Sequence, residues 1–301
     1  MEQSKGTILI AGCGYRGQRL AALLLRQGYK IKGITRSAAH AAQLVVLGVE
    51  PVIADITRPE TLTGIGREIC AVYHLMGSMN GSEEQHQRLH VDGTRNLLAA
   101  LGQTKLHRYV YESSTAVYGQ IDGEWIDEQS PRAPSSLMGK LRVQAEDLLL
   151  HAFRQNVLPL VILRPSSIYR PEGAINKKIS AGTYTLTSDP EKLMNHIYID
   201  DFLEIMTLAL NRGQPGEAYN VTDDEPKRGI DYVNCIADLM QKPCPKVEWA
   251  AADNACADLI RSSNKRCSNA KLKRDFNLRL RYPTYREGLR ESARQGWRET
   301  L

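Results

Sequence analysis

TILIAGCGYRG, residues 7–17, is the stretch that decides the fold. Ile8, Leu9 and Ile10 form a short apolar run between polar neighbours, the mark of a buried strand. Gly12, Gly14 and Gly17 follow as G-x-G-x-x-G, and residues 18–27 then carry a helical pattern. In that context each glycine has a physical task. The first permits the tight turn, the second lets a pyrophosphate approach the backbone, and the third lets helix and strand pack closely. The N-terminus of the helix faces the anion. Gly12, Gly14 and Gly17, with Tyr15 and Arg16 between them, are therefore the first candidate cofactor-binding residues.

Outward from this loop, strand and helix patterns alternate. Residues 29–35 (YKIKGIT) read as a second strand, 38–47 as a helix, 49–53 as a third strand and 71–76 (AVYHLM) as a fourth. A long helix is expected over 83–101, a fifth strand over 108–112, a helix over 138–151, a sixth strand over 158–163 and another near 218–221. Such alternation predicts an α/β fold, a Rossmann-type doubly wound parallel sheet with a smaller, mixed C-terminal substrate lobe. The expected division is 1–163 for the NAD(P)-binding domain, completed by about 196–222, with 164–301 as the interleaved substrate lobe.

Arg36 follows the second strand directly. At that position a carboxylate accepts from the 2′-OH of NAD, whereas an Arg accommodates the 2′-phosphate of NADP. Thr35-Arg36-Ser37 has no carboxylate, so NADP(H) is expected rather than NAD(H), with Arg16 adding a second positive charge. Asp55, at the end of the third strand, either touches the adenine or caps the turn at Thr57-Arg58-Pro59.

Composition narrows the classes. The chain has 301 residues, enough for one large domain or two, and is 42% hydrophobic and 24% charged, as an ordinary globule is. A formal net charge of +5 is too modest to imply nucleic-acid binding. Residues 1–6 lack the apolar stretch of a signal peptide, and the longest apolar run, 20–25, stops at Arg26, too short to enter a membrane as a span. Cys13, Cys70, Cys235, Cys244, Cys256 and Cys267 contain no C-x-x-C pair, so free thiols in a reducing cytoplasm are expected and no metal site.

Six ordered motifs make the reading specific. G-x-G-x-x-G is followed by V-D-G-T-R-N-L-L (91–98), S-S-T-A-V-Y-G (113–119), L-R-P-S-S-I-Y (163–169), H-I-Y-I-D-D (196–201) and G-E-A-Y-N-V (216–221), with S-N-A-K-L-K and E-G-L pieces near the C-terminus. Together they resemble the extended short-chain dehydrogenase/reductase family, the NAD-dependent epimerase/dehydratase group, over nearly the whole chain. The resemblance implies a Ser, Tyr and Lys at the active site, the last two as Y-x-x-x-K on one helical face. Ser114, four residues before Tyr118, matches the Ser.

The Tyr and Lys do not match. Aligning Gly139 and Glu146 with the family pattern puts Met138 at the Tyr position and Arg142 at the Lys position; shifting to use Lys140 puts Ser136 there and misplaces both anchors. Neither register supplies a tyrosine. A thioether has no proton to give, and a guanidinium stays charged and does not replace an ammonium one for one. A positioned general acid is typically worth ~10²–10⁴-fold in rate, so the chain reads as an atypical member. Ser114 is the expected catalytic residue, and Arg142 is expected to contact the cofactor ribose. Tyr169, in the loop after the sixth strand, and Lys140 are further groups within reach of a substrate; His74 and Tyr118 read as core, and His196 as part of a loop.

Two functions follow. One is an NADP(H)-dependent oxidoreductase or epimerase acting on a small polar or sugar-like molecule with non-standard acid catalysis. The other is a non-catalytic NADP(H)-binding sensor or regulatory protein, motivated by Met138 and Arg142. Substrate lid sequences are short, 170–188, which favours a small substrate over a nucleotide sugar. The resemblance also implies a homodimer through the helices at 83–101 and 138–155.

Overall fold

The computed structural model describes residues 5–75, 77, 81–156, 158–248 and 263–297. Met76 and Ser78 at the end of the fourth expected strand, Cys256, and the last residues of the expected lobe lie outside these. The chain divides into two compact units. The first comprises Met1–Ser114, Leu137–Arg164 and Leu203–Ala218; the second comprises Thr115–Ser136, Pro165–Phe202 and Tyr219–Leu301.

The first unit is built on β1 (Thr7–Ala11), α1 (Tyr15–Arg26), β2 (Lys30–Thr35), α2 (Ala38–Val46), β3 (Glu50–Ile53), β4 (Ile69–His74), α3 (Glu83–Gln87), α4 (Gly93–Leu101), β5 (Arg108–Glu112) and α5 (Leu137–Arg154). The sheet has seven strands in the order Ala218–Val221, Leu160–Pro165, β5, β4, β1, β2, β3. β1 pairs in parallel with both β2 and β4, and the pairings continue in parallel to β3 on one side and Leu160–Pro165 on the other. This is the doubly wound arrangement expected from the alternation. The strand order reverses between β1 and β4, the point where open α/β sheets bind ligands.

The reason the sheet forms is legible in β1. Ile8, Leu9, Ile10 and Ala11 are fully buried, so both faces of the strand are covered, as a continuous apolar run requires. Leu9, Val72, Tyr109 and Ile162 belong to one core cluster with Leu97, Leu101 and Leu149 from the helices. Polar groups buried with them find partners: the Tyr73 hydroxyl donates to Met206 O at 2.8 Å and Arg108 Nε to Leu210 O at 3.2 Å.

The long helix expected over 83–101 is interrupted. A π-turn, Arg88–Asp92, separates α3 from α4. Gly93 begins α4 under Ile56; a Cβ there would lie 2.6 Å from Ile56 Cδ1, so the helix approaches closely at that point. Single wide turns of this kind interrupt the regular hydrogen bonding and are frequent at functional sites.

The second unit is mixed. Ser167–Tyr169 pairs in parallel with His196–Tyr198, Trp125–Ile126 with Arg266–Cys267, and Thr185–Leu186 with Lys246–Val247, while Leu193–Met194 runs antiparallel to Lys227–Arg228. Tyr169 is therefore not in a loop, as the sequence suggested, but in a strand, buried among the rings of Tyr198, Tyr232 and His196. Its ring lies on the helix Tyr285–Arg294, where a Cβ on Gly288 would come within 1.9 Å of the Tyr169 hydroxyl. That packing accounts for the E-G-L piece. Tyr118 is likewise core, its hydroxyl donating to Asn220 Oδ1 at 2.8 Å, which ties two of the motifs together. His196, expected in a loop, is a buried strand residue stacked 4.2 Å from Tyr232.

Candidate functional site

Gly12 adopts φ +99°, which only glycine takes without strain, and turns the chain from β1 into α1. Gly17 sits one helical turn later, where a Cβ would lie 2.6 Å from Gly12 O and 3.2 Å from Ile10 Cγ2. Gly14 is different. A Cβ there would meet nothing within 4 Å, so the backbone at the head of α1 faces open space. The first N–H groups of α1 have no acidic side chain in their own turn to serve them. A cradle that is closed on the protein side and open at the helix N-terminus fits a diphosphate. Tyr15 opens the helix, and its hydroxyl accepts from Arg19 Nη1 at 2.9 Å. Cys13, in the middle of the loop, is buried with its thiol pushed up to about 12 by desolvation, so it is no nucleophile.

Arg36 stands exposed at the end of β2 and makes no ion pair among the described residues. Ser37 beside it is committed to the N-cap of α2, its hydroxyl accepting from His40 N at 3.2 Å. Asp55 keeps the turn after β3: its Oδ1 accepts from both Thr57 N at 2.9 Å and Thr57 Oγ1 at 2.8 Å. The turn cap, one of the two roles expected of Asp55, is made through Oδ1.

Arg16 does not supply a spare positive charge. Its Nη2 lies 2.7 Å from Glu112 Oε1 and its Nε 3.3 Å from Oε2. Glu112 ends β5 with its carboxylate buried; desolvation raises its pKa, opposed by Arg16 and Arg142. A buried carboxylate of this kind requires a cation, and Arg16 is the residue that reaches it. Sequence reading missed this pair. The signal was present: Glu112 is an acid at the end of an otherwise apolar and aromatic strand, RYVYE.

Arg142 also turns inward. It is buried, and its Nη1 donates to Glu112 O at 2.8 Å and to the Tyr111 hydroxyl at 3.3 Å. That nitrogen caps the C-terminal end of β5. Four residues on, Glu146 accepts from Ser113 Oγ at 2.5 Å and from Arg164 Nε and Nη2 at 2.9 and 2.7 Å, all buried. Gly139, Arg142 and Glu146 share the buried face of α5, whereas Lys140 is exposed. That burial pattern is the one expected of the alignment anchored on Gly139 and Glu146. Ser113 is buried and bonded to Glu146, and Ser114, next to it at the strand end, is half-buried.

Histidines surround Arg142 on the sheet side. His74 ends β4, its Nδ1 2.8 Å from the Tyr109 hydroxyl, and its pKa is pulled down to about 3, first by burial and then by Arg142. His90, in the π-turn, stacks on His86 with ring centroids 6.0 Å apart. Burial, Arg142, His86 and His74 pull it down to about 3, and its Nε2 has no hydrogen-bond partner. Both imidazoles are held neutral. Because the folded values lie below the unfolded value of about 6.5, their contribution is present above pH 6.5 and is lost as pH falls toward 3. Each histidine should remove about 2 kcal/mol between pH 7 and pH 5. Urea unfolding at the two pH values checks this: His90→Leu should flatten the dependence relative to wild type, and an unchanged slope would refute it.

A parallel sheet with a glycine cradle at the reversal of strand order is a dinucleotide-binding fold. The chain belongs to the NAD dependent epimerase/dehydratase family, whose profile matches residues 8–222. Among its relatives, the 4-hydroxy-2-methyl-3-oxo-4-farnesyl-3,4-dihydroquinoline-1-oxide ketoreductase of Stigmatella aurantiaca is 28% identical over 233 residues, 73% of this chain and 69% of its own. The 2-alkyl-3-oxoalkanoate reductase of Stenotrophomonas maltophilia is 26% identical over 266 residues, 81% of this chain and 77% of its own. The solved structure of dTDP-glucose 4,6-dehydratase from Bacillus anthracis, in complex with NAD, shares the fold with a TM-score of 0.79, covering 97% of this chain and 98% of that one at 20% identity. Among the described residues no helix is long and apolar enough to cross a membrane.

Proposed function

We propose that this chain is an NADP(H)-dependent oxidoreductase or epimerase acting on a small polar or sugar-like substrate, with no tyrosine as its proton donor. The observation that carries the reading is Arg36, exposed and without an acidic neighbour at the end of β2, beside a glycine cradle open at Gly14. Gly12, Gly14 and Gly17, with the backbone of Tyr15 and Arg16, would hold the diphosphate, and Arg36 the 2′-phosphate. The nicotinamide supplies or takes up hydride. Ser114 Oγ, a hydroxyl at the strand end, would hydrogen-bond the substrate oxygen. Arg142, fixed by Glu112 O, would bias that end of the sheet toward a developing negative charge.

The reductases among the relatives act on carbonyl compounds by their names, which favours reduction of a ketone. Nothing in those names supports the non-catalytic sensor. The described cysteines are free thiols, in keeping with a cytoplasmic enzyme, and the homodimer is carried over from the family resemblance.

Calorimetric titration with NADPH and NADH tests the proposal. NADPH should bind more tightly, and Arg36→Ala should weaken NADPH about tenfold or more while leaving NADH within twofold, since a charge-assisted contact to phosphate is worth on the order of 1.5–3 kcal/mol. NADH preference in the wild type would overturn the reading of Arg36. Failure of wild type to oxidise NADPH with any of a panel of ketones and 3-oxo acids would overturn the catalytic reading.

A further inference from the structure

The second unit buries two lysines that, among the described residues, make no ion pair with a carboxylate. Lys192 is 7% exposed and Lys265 is 2% exposed. Their segments lie side by side, stitched by three hydrogen bonds. Leu193 N donates to Asn264 Oδ1 at 3.0 Å, Asn195 Nδ2 to Lys265 O at 2.9 Å, and Cys267 N to Asn195 Oδ1 at 2.8 Å.

Among the described residues Lys265 Nζ donates to neutral oxygens, Tyr118 O at 2.8 Å and Ser263 Oγ at 2.9 Å. Among the described residues Lys192 Nζ has no hydrogen-bond partner, so all three of its N–H donors remain to be satisfied. Of the two acids just before Lys192, Glu191 is paired with Arg228, its Oε2 3.1 Å from Nη1, and Asp189 uses its Oδ1 to accept from Glu191 N at 2.9 Å. Lys192 is pulled down to about 8 by burial and then by Lys265, with Asp189 opposing. Lys265 is lowered by burial, with Cys267 and Glu124 opposing.

The same unit shows what a structural buried lysine looks like. Lys227 Nζ lies 2.8 Å from Asp223 Oδ2, an ion pair closed on itself. Buried charges are paired or coordinate a ligand, because an isolated one loses its hydration without recompense. A methionine would fill the place of Lys192 at no such cost. A second ammonium beside it makes the omission of a carboxylate harder to explain by packing, and simple to explain by an anion supplied from outside.

We propose that Lys192 and Lys265 form an anion subsite that takes a phosphate or carboxylate group of a small substrate. The identity of the ligand as substrate rests on the function proposed above; the subsite itself does not. Lys192 offers three donors and Lys265 its remaining one, so an oxyanion placed between them completes both ammonium groups.

The test is calorimetry on the full chain with inorganic phosphate and, separately, malonate, in the wild type and in Lys192→Met, each with and without saturating NADP⁺. At least one probe should bind the wild type and weaken tenfold or more in Lys192→Met. The thermal midpoint of the variant should hold or rise, since an unpaired buried charge is removed. Tighter phosphate than malonate assigns a phosphorylated substrate, and the reverse assigns a carboxylic acid. Phosphate held in the glycine cradle is common to both proteins and cancels in the comparison. Anion binding that is equal in wild type and variant, or absent from both, overturns the subsite. Loss of NADP⁺ binding with the variant-sensitive anion site intact would instead count against the cofactor reading alone.

Discussion

Glu146→Ala should lower the unfolding free energy by about 3–5 kcal/mol, a large share of the 5–15 kcal/mol typical of a folded domain. The substitution strands Arg164, whose Nη2 lies 2.7 Å from Glu146 Oε2 with side-chain exposures of 4% and 0%. It also takes away the acceptor of Ser113 Oγ. The cost comes from the charge left behind, more than from the contact removed, and this dictates the control. Glu146→Leu with Arg164→Met removes both charges and should recover most of the loss, because well-packed apolar replacements of buried ion pairs are often neutral. Urea unfolding of the three proteins decides it. A loss below 1 kcal/mol in Glu146→Ala, or a double variant no better than the single, would show that the pair is not what holds α5 to the strands.

The second large effect separates two glycines that look alike in the sequence. Gly17→Ala replaces a helical glycine, a change that in an open helix would gain about 1 kcal/mol from propensity. Here the added Cβ lies 2.6 Å from Gly12 O, and the neighbouring atom is backbone and cannot swing away. The strand-to-helix turn must open, so stability should fall by about 1–3 kcal/mol and dinucleotide affinity by about 100-fold. Gly14→Ala should behave otherwise. Its Cβ meets no protein atom, and φ −81° is acceptable to alanine, so stability should hold while dinucleotide affinity falls, because the Cβ stands where the diphosphate approaches. Thermal melts and calorimetry with NADPH read the two apart. Equal stability losses in both variants would mean that the open space at Gly14 is not the ligand's.

The contrast shows what the sequence could and could not disclose. Gly12, Gly14 and Gly17 were legible because spacing alone assigns them geometric tasks, and the sheet was legible because strands buried on both faces, like β1, write continuous apolar runs. The buried face of α5 was legible because Gly139, Arg142 and Glu146, three and four residues apart, share one side of a helix. What escaped was long-range pairing. Arg16 and Glu112 stand far apart in the chain, and no local pattern says that the loop arginine serves the strand-end acid and not a ligand. Arg164 and Glu146 escaped for the same reason. The π-turn at Arg88–Asp92 escaped because V-D-G-T-R-N-L-L keeps a helical apolar period through the irregularity. Tyr169 was misplaced because a three-residue strand leaves no periodicity to read.

The path of the chain through its first unit bears on how the protein is made. Residues up to Arg164 leave the ribosome carrying Tyr73 and Arg108, whose buried donors are answered by Met206 O and Leu210 O, and carrying the strand Leu160–Pro165, whose neighbour Ala218–Val221 comes later still. At roughly 5–20 residues per second, the nascent sheet waits several seconds with one edge uncovered and with Met206 O and Leu210 O still to arrive. Over that interval the incomplete domain has the properties of a chaperone client: an open strand edge beside apolar surface. A gene fragment stopped after the sixth strand would hold it in that condition permanently. Expressed alone, residues 1–163 should aggregate, however complete their glycine cradle.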